Sequence, residues 1–208
     1  MGSLFLVMLV LHSAPAEAAT QRVHTFRDQE FEFALEVEQK PSADGASPFC
    51  EPRSVTVRRK QDGRELQKLA LEGILLECGV APGELLIVED LDFDGRKDLR
   101  VLRLLDARLQ STFDYWVYDK KSGRFEKDTR FEALSSPRFD ARTRTITSVS
   151  RVGAMDKTVE KFRLLKNGKL ELIFREETTQ DALDGSLLVT TGRKVGGKWV
   201  ETTRQVEE

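Results

Sequence analysis

The chain has 208 residues, with 33 Lys and Arg against 35 Asp and Glu, a formal net charge of -2. Charges that nearly cancel and are interspersed exclude a general electrostatic pull toward nucleic acid or an anionic membrane surface. Two histidines and two cysteines leave little material for histidine-based hydrolysis or a Cys/His metal centre.

In chain order, the first feature is the apolar run Leu4 to Leu11, which is followed by small residues. It is too short to span a bilayer as a helix. Ala16-Glu17-Ala18 fits the small-x-small rule of leader cleavage, so residues 1–18 read as a signal peptide and 19–208 as the exported chain. No cysteine follows the run, which removes a lipid anchor and leaves an expectation of no stable membrane insertion. The remaining residues are enough for one domain with a real core, and no Pro/Gly/Ser-rich linker divides them.

Beyond the leader, His24 is the single histidine, in an N-terminal segment expected to be mobile. Phe31, Phe33, Leu35 and Val37 alternate with Glu and Ala, which predicts a half-buried strand. Residues 54–59 and 65–70 flank Asp62-Gly63, a dipeptide suited to positive φ and a tight hairpin. The densest basic spot, Arg58-Arg59-Lys60, falls at the end of that first strand. Strand-like segments 85–89 and 99–105 enclose an Asp-rich loop, and 113–118 and 124–127 enclose Lys121-Ser122-Gly123. Further strands are expected at 143–150, 159–165, 169–175, 187–191 and 199–202, with Asn167-Gly168 and Gly196-Gly197 as turns. The series predicts an all-β, antiparallel meander, most simply a small β-propeller-like domain.

Cys50 and Cys78 both lie in the exported part, where an even pair favours a disulfide. Closing a loop of that size stabilises a fold by about 3 kcal/mol in the chain-entropy picture.

The loop Asp90-Leu91-Asp92-Phe93-Asp94-Gly95-Arg96-Lys97-Asp98 carries the main chemical motif. Acids stand at relative positions one, three, five and nine, with glycine at six. Carboxylates at alternate positions of a tight turn converge, and calcium, a hard cation, takes six to eight oxygens in flexible geometry. The expected ligands are Asp90, Asp92, Asp94, the Arg96 carbonyl and Asp98. Val101 occupies the twelfth position in place of the bidentate Glu of an EF-hand, and strands flank the loop, so it is not a helix-loop-helix sensor. It resembles the Asp-rich loops between strands of integrin-type propeller repeats. No Gly-x-Ser-x-Gly elbow or His-Glu-x-x-His motif occurs, and the expectation is a protein without catalytic residues.

The run Leu85 to Val101, with Tyr115-Trp116-Val117-Tyr118-Asp119, Ser122-Gly123-Arg124-Phe125, Ser150-Arg151-Val152-Gly153 and Asn167-Gly168-Lys169-Leu170, resembles a family of bacterial periplasmic proteins. That family includes immunity proteins against secreted peptidoglycan-cleaving effectors and is similar to inhibitors of invertebrate-type lysozyme. The resemblance covers a little under half the chain and departs at Phe162, where a Tyr is expected. It implies a calcium-bearing, propeller-like fold, a periplasmic location and a lysozyme-like peptidoglycan hydrolase as protein partner. It also implies an inhibitory loop, placed at residues 148–155, in which Ser148, Ser150, Arg151 and Gly153 contact the target. Ser150 and Arg151 would meet catalytic carboxylates through charge-assisted hydrogen bonds, and Gly153 would permit close backbone approach. The competing expectation is a calcium-dependent adhesion or carbohydrate-binding module, which calls for exposed aromatics near the ion.

Overall fold

A computed structural model describes residues 19–41, 47–153, 155–181 and 185–206. The leader and its cleavage site, placed at residues 1–18, lie outside them. The described chain is all-β and antiparallel, with a single four-residue helix. No helix among the described residues is long and apolar enough to cross a membrane.

Three sheets follow one another along the sequence. The first orders β1 (Thr20–Arg27), β2 (Phe31–Lys40), β3 (Phe49–Arg59) and β4 (Glu65–Ala70), with β5 (Leu76–Glu77) also on β3. Because β2 pairs along the whole of β3, β4 and β5 share the opposite edge, β4 on its second half and β5 on Phe49 and Cys50. After α1 (Pro82–Leu85), the second sheet orders β6 (Leu86–Glu89), β7 (Asp98–Leu105), β8 (Ser111–Asp119) and β9 (Arg124–Lys127). The third runs β10 (Arg138–Asp140), β11 (Thr145–Arg151), β12 (Lys157–Leu164), β13 (Leu170–Gln180), β14 (Leu187–Val195) and β15 (Lys198–Val206).

The turn chemistry matches the backbone. Gly196 and Gly197 both have positive φ, 57° and 80°, and link the paired residues Val195 and Lys198 as a two-residue loop whose twist suits the flanking strands. The alternation in β2 buries Phe31, Phe33, Leu35 and Val37 together, as a period of two requires. Segment 20–27, which lacks that alternation, nevertheless forms β1: an edge strand held by its backbone ladder to β2, with His24 opposite Leu35.

Aromatic rings join the sheets. Phe31 of the first lies 5.2 Å from Tyr118 and 5.5 Å from Phe125 of the second. Tyr115 of the second packs on Phe131, which packs on Phe139 of the third, at 5.4 Å in both cases. Polar contacts fix the register. The Gln67 amide donates to the Phe125 carbonyl and accepts from the Phe125 N–H, at 2.9 and 3.0 Å. The buried Arg100 pairs with Glu89 at 2.6 Å and donates to the Pro137 carbonyl at 2.9 Å. The core thus gathers at the first two sheets and β11, while β15 is exposed along nearly its whole length.

The disulfide joins Cys50 of β3 to Cys78 just past β5, Cα atoms 5.0 Å apart. It fastens the short β5, which has only two ladder pairs of its own.

Candidate metal site and hairpin tip

The Asp-rich loop connects β6 to β7, and its shape follows from alternation. Leu91 and Phe93 are buried and act as two anchors, with Asp90, Asp92 and Asp94 alternating with them along the loop. Phe93 and Gly95 have φ of 63° and 89°, and these two left-handed residues reverse the chain. Glycine adopts that conformation without penalty, whereas Phe93 is kept in it by its burial and its ring contact with Phe139 at 6.4 Å. The acids cap their own loop. Asp90 accepts from Asp94 N–H at 3.1 Å and Gly95 N–H at 2.9 Å, Asp92 accepts from Asp94 N–H, and Asp94 from Arg96 N–H. Such Asx-type bonds satisfy a tight turn locally.

Asp98 differs from the others. As the first residue of β7 it is 1% exposed. Its carboxylate accepts from Leu91 N–H at 2.8 Å and Tyr118 N–H at 2.9 Å, tying both ends of the loop to β8. Burial, and to a lesser degree the neighbouring Asp92 and Asp90, push its pKa up to about 7 against those two hydrogen bonds. Burial and then Asp94 likewise raise Asp92.

Of the expected ligand set, Asp90, Asp92 and Asp98 come together, with carboxylate oxygens all within 4.8 Å of one another. Asp94 stands apart from this group: its carboxylate reaches Lys120 at 2.9 Å, a contact that keeps its pKa low despite partial burial. The Arg96 side chain lies over the Tyr118 ring and pairs with Glu30 at 3.2 Å, linking the loop to the β1–β2 turn. The residues fit a cation on one internal observation. Three carboxylates meet there, and burial resists ionisation of Asp92 and Asp98, so a cation held among them would offset an electrostatic cost that these carboxylates carry.

Two residues near this group carry no signal in the sequence. Arg130 pairs with Asp128 and donates to the Gly168 carbonyl at 3.2 Å, and its positive charge is felt at Asp92. Lys120 is the other. Both come from segments distant in sequence: Lys120 is brought in by the pairing of β7 with β8, and Arg130 follows β9 of the same sheet.

The expected target-binding residues divide. Ser148 is buried, and its hydroxyl accepts from Ser135 N–H at 3.0 Å and donates to the Ser135 carbonyl at 3.1 Å. It holds β11 to the loop between β9 and β10, which leaves no free hydroxyl for a partner. Ser150 and Arg151 end β11 opposite Thr158 and Lys157 of β12. Gly153 lies in the turn, where an added Cβ would stand 2.9 Å from the Asp156 carboxylate. Ala154 lies outside the described residues. Arg151 is exposed at the tip. Val152 beside it is 78% exposed.

Against known proteins, the chain matches no family model, no curated protein and no solved structure.

Proposed function

We propose that the chain is an exported, non-catalytic inhibitor or immunity protein that blocks a lysozyme-like peptidoglycan hydrolase in the periplasm, with one structural calcium ion at Asp90, Asp92 and Asp98. The observation that carries this reading is the exposed Arg151 at the end of β11, whose backbone is held by Gln110 and whose side chain is open to a partner. A guanidinium presented in this way matches the catalytic carboxylates of a glycan-cleaving cleft through charge-assisted, two-pronged hydrogen bonds. The ion's part would be mechanical: Asp90, Asp92 and Asp98 would hold it, it would offset most of their mutual repulsion and steady the β6–β7 connection, and the Asp98 to Tyr118 bond would extend that effect to β8. The three consecutive meander sheets are consistent with a propeller-like arrangement of blades.

The adhesion or carbohydrate-binding reading has less support. It requires exposed aromatics beside the ion, but the exposed large aromatics among the described residues are Phe49 and Trp199, on β3 and β15.

The test is clearing of a peptidoglycan suspension by a panel of lysozymes and by any peptidoglycan hydrolase encoded beside this gene, with and without the purified protein. Slowed clearing is expected, and Arg151→Ala should weaken it by about thirtyfold, the equivalent of the 2 kcal/mol typical of a central anchor. Undiminished clearing by every enzyme at micromolar excess of the protein removes the proposal.

A further inference from the structure

The two most exposed large hydrophobic residues among those described are Val152 at 78% and Leu109 at 77%, on separate hairpins 43 positions apart in the sequence. The two loops that carry them are joined in the fold. Gln110, next to Leu109, accepts from the Arg151 N–H at 2.6 Å and donates to the Arg151 carbonyl at 3.0 Å. Its other amide hydrogen goes to Asp106 at 2.9 Å, so one side chain locks the β7–β8 loop to the β11–β12 tip with both donors used.

The β7–β8 loop is itself over-determined. Asp106 accepts from the backbone N–H groups of Arg108 and Gln110, both at 2.9 Å. The Asp106 carbonyl accepts from Leu109 N–H at 2.9 Å, and Asp106 N–H donates to the Gln110 carbonyl at 3.0 Å. At the centre of this frame Leu109 has φ of 60°, a conformation that disfavours a Cβ and suits Gly or Asn. An apolar side chain held in a strained backbone and aimed at water gains nothing for the fold. Such strain persists where surrounding contacts impose it, and it concentrates at functional surfaces. Each apolar residue is preceded in the chain by an exposed arginine, Arg108 before Leu109 and Arg151 before Val152. Preorganised apolar anchors reduce the ordering cost of association, and arginines at their rim select an acidic partner.

We infer that the β7–β8 loop and the β11–β12 tip form one two-pronged docking surface, with Leu109 and Val152 as apolar anchors and Arg108 and Arg151 as charged guides. It takes a protein partner whose cleft combines apolar walls with carboxylates. This inference rests on the hydrolase reading above and assigns to that contact a second loop with its own anchor. Gln110 is the positioning residue, since it touches no partner but sets the spacing of the prongs.

The experiment measures affinity for the lysozyme panel, and for any peptidoglycan hydrolase encoded beside this gene, by calorimetry and by inhibition, together with melting temperature. Leu109→Asn keeps a residue that tolerates positive φ and deletes the prong. Its melting temperature should equal or exceed that of the parent while affinity falls tenfold or more, and Val152→Ser should do the same. Leu109→Gly serves as a second variant, with relief of strain as its independent readout. Gln110→Ala should lower affinity without removing a contacting group. If Leu109→Asn and Val152→Ser bind like the parent while Arg151→Ala is weakened, the two-pronged surface is wrong and the hydrolase reading stands. If the parent binds none of these enzymes, both fall. A loss of affinity in Leu109→Asn accompanied by a fall in melting temperature also overturns the inference, because Leu109 would then be serving the fold.

Discussion

The backbone N–H of Tyr118 points at the carboxylate of Asp98 across the β7–β8 ladder, 2.9 Å away, and this bond places the most buried acid of the Asp-rich loop under the control of a second strand. Asp98 has its folded pKa raised to about 7 from an ordinary 3.8. In calcium-free protein its ionisation therefore opposes folding. The contribution of Asp98 is favourable below pH 4, is lost as pH rises through 7, and amounts to about 4 kcal/mol between those limits. Calcium bound at the loop would cancel this loss. Melting in chelator should thus fall from pH 5 to pH 8, and the upward shift on adding millimolar calcium should be larger at pH 8 than at pH 5. Equal shifts at both pH values would remove Asp98 from the ligand set.

Ligand loss gives a second measurement. A cation bound only by the folded chain stabilises it by about 2.7 kcal/mol at a hundredfold excess over its dissociation constant. Asp92→Asn should abolish most of the calcium-dependent rise in melting temperature. An unchanged rise would mean that the ion binds elsewhere.

Gly192 and Trp199 make a third case. Gly192 is buried in β14, and a Cβ there would stand 2.5 Å from the Trp199 ring. The indole covers the bare glycine and donates to Glu201 at 2.8 Å. Gly192→Ala should cost about 1–3 kcal/mol through overpacking. Trp199→Ala alone should destabilise through lost burial, and in the double variant the alanine penalty should largely vanish. Strict additivity in denaturant titrations of the four proteins would refute the contact.

The disulfide gives a fourth. Reduction should cost about 3–4 kcal/mol for the 28-residue separation. Intact mass after alkylation without reductant should show no labelled thiol in native protein.

Gln67 gives a fifth. Its amide serves both polar groups of Phe125. Gln67→Leu leaves two backbone groups without partners and should lower stability by about 1–3 kcal/mol, with calcium affinity unchanged. A neutral result would show that water replaces the amide.

Local chemistry made much of this fold legible in the sequence. The Gly-containing turns at Gly63, Gly123, Gly168 and Gly197 all have positive φ, and the strands between them follow from alternation. What escaped depends on pairing rather than pattern. β1 has no apolar period because both its faces are largely exposed, β5 is two residues long, and β10 is three. In the Asp-rich loop the spacing indicates four acids but not their fates. Asp98 is internal because it opens a buried strand, and Asp94 is diverted because Lys120 from the β8–β9 turn reaches it. Ser148 falls within the strand expected at 143–150, but the resemblance assigns it to the target-binding loop; it is buried in β11, and sequence offers no sign of its bond to Ser135.

The order of strands has a consequence for how the chain assembles. Every pairing among the described residues joins strands adjacent in sequence, except that of β3 with β5. Closing short loops costs little entropy, so hairpins of this kind form early and let a sheet grow strand by strand as the chain is made. The one pairing that must reach past an intervening strand is also the one that the bond between Cys50 and Cys78 makes permanent. Completion of the first sheet is therefore coupled to thiol oxidation: under reducing conditions β5 rests on two ladder pairs, and in an oxidising compartment it becomes a covalent part of the sheet.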